Sequence, residues 1–381
     1  MIFPAPVLRA LLVLIVVSRL FGVDTVRGQE LPAEQAVPNT PNAPSTPSAP
    51  FEGPVIELPP EDRPAQTKPA DSGPLVALGV PADSNTLSRG LQPQRMAQPR
   101  TVIGGYGQFT LNAVKPGDAS SFTAQASVRR LVLFVAHPIT DDIRVYTEFE
   151  WENAVACAAC QGSAEVEQAF VHARLLGDAL ALRVGLLLIP MGIVNQWHEP
   201  PVFHGVERPM VDQFVIPSTW RELGAGFTGE IAEIFRYELY LTTTLNPLRL
   251  AETGLTNART LGSFAPANGY AVTGRAEVEP WLGVIGGLSF FLSDMGPNAD
   301  YYRESGKKRS LKLPLLGYAL DARMRRWGFE ARVLWTQFFL PNSGDLLKSY
   351  RADHSPLFPE DSVIPTRIQG GYIELAYDVL S

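Results

Sequence analysis

The segment from Ile143 to Glu152 alternates between two kinds of side chain with a period of two residues. Its apolar face carries Ile143, Val145, Thr147, Phe149 and Trp151. Its other face carries Arg144, Tyr146, Glu148, Glu150 and Glu152. A strand with this pattern suits the wall of a transmembrane β-barrel, where lipid covers one face and water the other. The pattern therefore predicts a membrane-spanning strand.

Similar runs follow one another from Val102 onward and predict twelve strands. The predicted strands cover residues 102–114, 122–137, 142–154, 166–176, 179–189, 221–231, 235–246, 269–279, 282–293, 312–325, 328–340 and 370–380. Runs of about 11 to 16 residues are longer than most strands of soluble sandwiches and suit a tilted membrane crossing. The second run is the weakest, because Leu131 to Val135 is apolar on both faces. A buried helical turn, or contact with a plug inside the barrel, would explain that run equally well.

The gaps between the predicted strands alternate in length. Long gaps follow the odd-numbered strands and cover residues 115–121, 155–165, 190–220, 247–268, 294–311 and 341–369. Even-numbered gaps are tight turns, such as Gly177-Asp178 and Pro280-Trp281. Outer-membrane barrels share this arrangement, with short turns in the periplasm and long loops outside. The predicted fold class is therefore an all-β, transmembrane antiparallel β-barrel of the bacterial outer membrane.

Composition does not separate this class from soluble proteins. The chain has 381 residues, of which 19% are charged, and its mean hydropathy is +0.02. Barrels share such averages because polar residues facing the lumen offset apolar residues facing lipid. The net charge of −7 gives no basic footprint for nucleic acid, so we expect no nucleic-acid partner.

The first 100 residues have a different character. Residues 1–28 outline a secretory signal peptide, with an apolar run after Arg9 and small residues suited to cleavage after Gly28. A membrane-anchoring helix is the alternative. Residues 29–100 are rich in proline, which predicts a disordered periplasmic linker that is either passive or in contact with peptidoglycan. The barrel domain then covers residues 101–381.

Cys157 and Cys160 are the only cysteines of the chain. Export to an oxidising compartment predicts a local disulfide between them. A redox-active Cys-x-x-Cys site is the alternative, although the sequence lacks the βαβ context of such sites. Gln161 stands where a covalent haem site would need histidine, and we expect no cofactor.

Charged residues recur at the predicted inward positions of the strands. They are Arg144, Glu148, Glu150, Glu152, His172, Arg174, Arg183, Arg236, Glu238, Arg275, Glu277, Glu279, Asp321, Arg323, Arg325, Glu330 and Arg332. In a barrel they would form acidic and basic columns on the pore wall and set a preference among ions. The alternative is an ion-pair network that compensates its own charges and fills the interior.

Enzymatic interpretations fit less well. Glu148 and Glu150 lie on one strand face about 6.5–7 Å apart, but a row of carboxylates without an organised partner is more typical of a solvated wall. His198 and His204 match no standard spacing of metal ligands. The sequence also contains no nucleophile elbow, phosphate-binding loop or calcium loop. We therefore expect neither an enzyme nor a metal site.

The segment from Pro190 to Gly224 is the most distinctive part of the chain. In and beside this segment, seven residues stand out for their types and spacing: Gly185, Pro190, Gly192, Trp220, Arg221, Glu222 and Gly224. They resemble the phosphate-selective porin family of the porin O and P type, in which a Gly-x-x-x-x-Pro-x-Gly strand end precedes a long third loop that ends in a Trp-Arg-Glu-x-Gly-like stretch. The opening Gly104-Gly-Tyr-Gly-Gln-Phe109 and the Tyr146-x-Glu148-x-Glu150 strand are also similar. The resemblance covers residues 101–381.

The resemblance implies that the third loop folds into the pore and narrows it. The residues that this places at the constriction are Trp197, His198, Glu199, Glu207, Arg208, Asp212, Trp220, Arg221 and Glu222. The phosphate-binding members rely on pore-lining arginine and lysine, whereas the lysines of this chain lie in the linker, in loops or at a strand end. A general or organic-solute porin is therefore expected rather than a phosphate-selective one.

The resemblance further implies a homotrimer of sixteen-stranded barrels whose last strand ends in an aromatic residue. Twelve strands are readable here, and the last residue is Ser381. Two alternatives follow: a barrel that closes at twelve strands, or a sequence that lacks about four strands. The second is the favoured expectation.

We expect an outer-membrane porin, surrounded by outer-membrane lipid, that passes small hydrophilic or anionic solutes by passive diffusion, with phosphate-like anions among the candidates and the inward-folded third loop as the constriction. A secreted or periplasmic β-rich binding protein or hydrolase is one alternative. A non-conducting structural barrel is another.

Overall fold

The structure is a computed structural model that describes residues 101–115, 122–154, 162–217, 219–250, 254–301, 311–352 and 363–379. The predicted signal peptide and proline-rich linker, and the predicted Cys157–Cys160 disulfide, lie outside the described residues and stay predictions. No helix within the described ranges is long and apolar enough to cross a membrane.

Twelve strands form one antiparallel sheet, and each strand pairs with the next along the chain. The strands are β1 (Val102–Val114), β2 (Thr123–Pro138), β3 (Ile143–Glu152), β4 (Ala164–Leu176), β5 (Leu180–Leu188), β6 (Arg221–Ile231), β7 (Phe235–Thr243), β8 (Tyr270–Trp281), β9 (Val284–Asp294), β10 (Pro314–Arg326), β11 (Phe329–Phe339) and β12 (Arg367–Tyr377). The long loops contain helices α1 (Val211–Phe214), α2 (Gly296–Tyr301) and α3 (Ser343–Ala352), and 3₁₀ turns at Pro200–Val202, Pro247–Arg249 and Thr256–Ala258. The predicted all-β fold with twelve antiparallel strands is confirmed.

The second strand is regular, although its sequence is apolar on both faces. It pairs with β1 along one side and with β3 along the other. Leu131 and Leu133 are exposed on the outer face, whereas Val132 is buried on the inner face. The run is therefore a strand, and the alternative of a helical turn is wrong.

Short turns reverse the chain after the even-numbered strands. Between β10 and β11, Trp327 and Gly328 have φ angles of +54° and +77°. A two-residue turn with two positive φ angles matches the right-handed twist of the strands that it joins. The long loops, in contrast, have room for helices and for the segment that enters the sheet.

The outer face of the sheet is apolar and exposed. Its exposed side chains include Ile103, Phe109, Leu131, Trp151, Leu223, Phe227, Leu239, Leu241, Val272, Leu288, Leu292, Leu316, Leu320, Val333, Trp335, Ile373 and Leu375. A soluble protein seldom exposes a continuous apolar surface larger than a few hundred Å². This face therefore needs a non-aqueous environment.

The inner face is covered largely by one loop, residues 189–220, which we call the inner segment. It follows β5 and precedes β6, and Ile189, Met191, Ile193 and Ile216 from it are fully or almost fully buried. These side chains join an apolar cluster with residues of β9, β10 and β11. The inner segment thus packs against the inner face of the sheet.

The strands β1 and β12 form the edges of the sheet. Among the described residues, no backbone hydrogen bond joins one to the other. Unpaired backbone groups of an edge strand are costly in lipid, where water cannot satisfy them. Both edges therefore need backbone partners before the sheet can span a membrane.

Candidate functional site

The two ends of the inner segment are held together by Asn195. Its Nδ2 donates to the carbonyl oxygens of Ile189 (2.7 Å) and Trp220 (3.0 Å). Its Oδ1 accepts from the backbone N–H of Trp220 at 2.7 Å. A backbone bond from the Ile189 N–H to the Trp220 carbonyl oxygen (2.9 Å) completes the closure. The loop therefore leaves and re-enters the wall at one fixed point.

Aromatic and close backbone contacts hold the inner segment against β9 and β11. The Trp220 ring lies 4.4 Å from that of Phe291 and 6.2 Å from that of Phe338, measured between centroids. Gly192 has a φ of +67°, and a Cβ there would lie 2.7 Å from Ile216 Cδ1 and 2.9 Å from a leucine of β11. Glycine fits this position because it tolerates the positive φ and has no Cβ.

On its other side the inner segment contacts β11 and β12. Arg332 of β11 donates to the carbonyl oxygen of Val202. Asp212 of α1 is fully buried and hydrogen-bonds to Tyr372 of β12. Burial raises the pKa of Asp212 to about 7, because desolvation disfavours the carboxylate. The inner segment thus spans the inner face from β4 to β12.

Cavities lie on both sides of the inner segment. The first, toward the short turns, is lined by Arg183, Arg236, Glu238, Arg275 and Glu277, with Gln196 and Trp197 of the inner segment. Trp197 also lines a second cavity on that side, next to Arg323 and Arg332. A third, toward the long loops, is lined by Arg130, Glu150, Glu165, Glu167, Arg221 and Arg259, with Arg208 of the inner segment. The inner segment therefore separates two polar spaces.

Arginines and acids pair around the first cavity. Arg183 Nη1 lies 3.0 Å from both Glu238 Oε1 and the Tyr240 hydroxyl. Arg275 binds Asp321 through two contacts of 2.7 and 2.9 Å and Glu277 at 2.7 Å. Arg236 (3.1 Å) and Arg323 also pair with Glu277. These predicted wall residues form the compensated network that was the alternative to open charge columns.

The other predicted wall residues lie in different surroundings. Arg174 is at the short-turn end, where it donates to the Asp141 carbonyl oxygen (2.5 Å) and pairs with Asp142 (3.3 Å). Arg332 pairs with Glu330. Two further predicted residues, Arg144 and Glu152, are half-buried at opposite ends of β3.

Glu148, Glu150, Glu167 and His198 form a buried acidic cluster beside the third cavity. His198 Nε2 lies 3.0 Å from Glu167 Oε2, and Glu148 Oε2 accepts from Gln168 Nε2 at 2.6 Å. Burial alone would lower the pKa of His198, but the attraction of Glu167 outweighs it and raises the pKa to about 9. Neither Glu167 nor Gln168 is among the residues that the sequence predicts for the site.

The predicted constriction residues lie in different surroundings. Trp197 and Arg208 line cavities, and Arg208 also donates to the His198 carbonyl oxygen at 3.0 Å. Glu199 is half-buried, and His198 and Asp212 are fully buried. Glu207 is exposed and lies 3.9 Å from Arg129. The last three, Trp220, Arg221 and Glu222, lie where the inner segment ends and β6 begins.

These last three residues are mostly enclosed by protein. Trp220 Nε1 donates to Glu222 at 3.3 Å, and Glu222 Oε2 accepts from Thr243 (2.7 Å) and Thr260 (2.9 Å). Arg221 pairs with Glu165 and lines the third cavity. Trp220 and Glu222 therefore support the loop and face no open space, which does not fit the expected contact with solute.

No family model matches the chain. An uncharacterized protein from Aquifex aeolicus (strain VF5) is 29% identical over 289 residues, which amount to 73% of this chain and 61% of that protein. The chain thus spans less than two thirds of this relative.

Several solved structures are similar to the chain. The outer membrane channel DcaP of Acinetobacter baumannii has a TM-score of 0.37 and 10% identity, over 74% of this chain and 88% of that chain. OprB of Pseudomonas putida has a TM-score of 0.38 and 9% identity, over 77% and 87% of the two chains. An anion-selective porin from Comamonas acidovorans has a TM-score of 0.32 and 13% identity, over 64% and 80%. Likenesses at this level carry no argument about function. The resemblance to the phosphate-selective porin family is not confirmed.

Proposed function

We propose that this chain forms an outer-membrane porin through which small hydrophilic solutes diffuse passively. The observation that carries this proposal is the contrast between the two faces of one sheet. The outer face exposes large apolar side chains, whereas the inner face carries paired charges and polar cavities. This contrast supports lipid outside and water inside. The outer-membrane location and the trimer belong to the same proposal.

The inner segment is the proposed constriction. Its residues line cavities on both sides, so a solute that passes from one to the other must pass around it. Trp197 borders both cavities of the short-turn side. Among the side chains that the sequence predicts there, we therefore expect its indole ring to narrow the route most.

Selectivity among ions should be weak. The first cavity has three arginines and two glutamates in its lining. The third has four arginines and four glutamates, which are Arg130, Arg208, Arg221, Arg259, Glu150, Glu152, Glu165 and Glu167. Because the two signs nearly balance, the cavities favour a general porin over a phosphate-selective one.

Single-channel recording in planar bilayers tests this function. Purified, folded protein should form ion-permeable channels with small preference between K⁺ and Cl⁻. Trp197→Ala should raise the conductance, whereas Trp281→Ala, which removes an exposed ring at the short-turn end of β8, should leave it unchanged. A folded sample that never conducts would refute the proposal.

A non-conducting structural barrel is the second candidate, and the ion pairs of the first cavity favour it. Charges that are fully engaged with one another can fill an interior as well as line a pore. The same recordings separate the two candidates. The exposed apolar outer face disfavours the third alternative, a soluble β-rich binding protein or hydrolase, which heat-modifiable migration on a detergent gel would exclude.

A further inference from the structure

Three side chains with metal-binding atoms meet where the inner segment contacts the wall. Glu148 lies on β3, Glu167 on β4 and His198 on the inner segment. One carboxylate oxygen of each glutamate and one ring nitrogen of the histidine all lie within 4.8 Å of one another. No other group of three acidic, histidine or cysteine side chains in the described part of the chain meets this condition. All three residues are buried.

Two further acidic side chains adjoin this cluster. Glu199 repels the Glu148 carboxylate, and Glu150 repels that of Glu167. A cation bound among these carboxylates would reduce their mutual repulsion.

A buried oxygen in the same place also has no donor. Glu150 is 4% exposed, and its buried Oε2 accepts no hydrogen bond from a donor among the described residues, while its carboxyl group lies within hydrogen-bonding reach of the Glu167 carboxyl group. The other oxygen of Glu150 lies 3.5 Å from Arg130. A buried carboxylate oxygen without a donor is costly, and a cation bound to the neighbouring Glu167 would offset that cost.

We propose that Glu148, Glu167 and His198 bind a divalent first-row transition-metal ion, with Zn²⁺ as the representative, and that the ion fastens the inner segment to the wall. A ligand set of one imidazole and two carboxylates suits Zn²⁺, whereas Mg²⁺ and Ca²⁺ prefer oxygen ligands alone. This proposal departs from the sequence-based expectation of no metal site.

The distance between two of the three ligands fits such an ion with little movement, and the third ligand lies within 4.8 Å of both. Two ligands of a tetrahedral Zn²⁺, each at 2.0–2.1 Å, lie about 3.3 Å apart. His198 Nε2 and Glu167 Oε2 are 3.0 Å apart, so a shift of a few tenths of an ångström would admit the ion. Gln168 Nε2 donates to Glu148 Oε2 at 2.6 Å, as an outer-shell partner that orients a ligating carboxylate. The competing state is a protonated His198 paired with Glu167 and no metal.

Metal content after equilibrium dialysis distinguishes these states. The parent is the full-length protein with Cys157→Ser and Cys160→Ser, so that no thiol binds the metal. It is stripped of metal with a chelator and dialysed against Zn²⁺ or Mg²⁺. Mass spectrometry then measures the metal bound per chain. His198→Gln and Glu167→Gln remove one ligand each. His204→Gln is the matched control, because this histidine lies on the same loop but only near Glu330, at 3.5 Å.

One Zn²⁺ and no Mg²⁺ should bind per chain, and His204→Gln should bind as the parent does. Changes to outer-shell partners lower metal affinity by up to roughly 100-fold. Each ligand variant should lower the affinity for Zn²⁺ by more than that. Equal zinc content in the parent and in His198→Gln, with both proteins shown to be folded by heat-modifiable migration, would overturn the proposal. The readout does not depend on conduction, so this inference and the porin function can fail separately.

Discussion

Removal of the Asn195 side chain should loosen the inner segment without unfolding the sheet. In Asn195→Ala the Trp220 backbone N–H loses the only acceptor that it has among the described residues, at 2.7 Å. The two carbonyl oxygens that Asn195 Nδ2 contacts keep other donors. Ile189 still accepts from Met191 N–H (2.8 Å), and Trp220 still accepts from Ile189 N–H (2.9 Å).

The expected cost follows from these contacts. One buried N–H without a partner costs about 1–3 kcal/mol, and the loss of two redundant bonds adds a smaller amount, for a total of about 3 kcal/mol. That value corresponds to roughly a 100-fold increase in the equilibrium for local opening. The strand ladder loses none of its own hydrogen bonds, so the opening should be confined to residues 189–220.

Hydrogen exchange of the folded protein in detergent, followed by mass spectrometry of peptides, measures this opening. Peptides from the inner segment should exchange roughly 100-fold faster in Asn195→Ala, and strand peptides should not change. Asn246→Ala is the matched control, because Asn246 is another buried asparagine whose Oδ1 accepts from Leu248 N–H (2.9 Å) in a different loop. Unchanged exchange of residues 189–220, or an equal increase in the control, would refute the reasoning.

Three further substitutions test the packing and charge of the interior. Gly192→Ala should destabilise the inner segment by about 2–4 kcal/mol, because alanine at this position has a strained φ and meets two close side chains. Hydrogen exchange of the inner segment should become faster. Gly344→Ala is the control and should not change it, because a Cβ there meets nothing within 4 Å. Arg275→Met should lower the free energy of unfolding by about 3–5 kcal/mol, because it leaves the fully buried Asp321 carboxylate without its arginine. The measurement is the denaturant concentration at which the folded band is lost from a gel. Adding Asp321→Leu should recover part of the loss, whereas additive effects of the two substitutions would contradict the pairing. Burial raises the pKa of Asp212 to about 7, so the protonated side chain stabilises the folded inner segment. This stabilisation is complete below the pKa of an unfolded aspartate, near 3.9, and is lost as pH rises through 7. In the proposed porin, channel current fluctuations should therefore grow from pH 5 to pH 8 in the parent protein and should grow less in Asp212→Asn.

The strands could be predicted from the sequence because their signal is local. Period-two alternation and the alternation of short and long gaps depend only on neighbouring residues, and they identify all twelve strands. Leu131 to Val135 shows where this signal fails. Its side chains are apolar on both faces because Val132 faces the inner side of the sheet, which a residue pattern alone cannot distinguish from lipid.

The place of Glu167 in the acidic cluster could not be predicted because it depends on a β-bulge. Strict alternation through β4 would place His172 and Gln168 inward and Glu167 outward. In the structure, Glu148 pairs with Gln168 and Phe149 pairs with Val166, so Glu167 is the extra residue of a register shift. A bulge of this kind re-aims a side chain, and here it brings Glu167 to the buried side beside His198. The position of a bulge depends on the pairing of two strands, which is not encoded in the periodicity of one.

The ion pairs of the interior bear on how the protein could conduct. Glu277 contacts three arginines, Arg236, Arg275 and Arg323, so its charge is more than compensated where it lines the first cavity. Paired charges still bind water and still polarise a passing ion, but their fields largely cancel over the width of a pore. Such a wall favours hydration without strong selection. In the proposed porin, conduction would then depend on closure: because unpaired strand edges are not stable in lipid, a conducting form would need backbone partners for both β1 and β12.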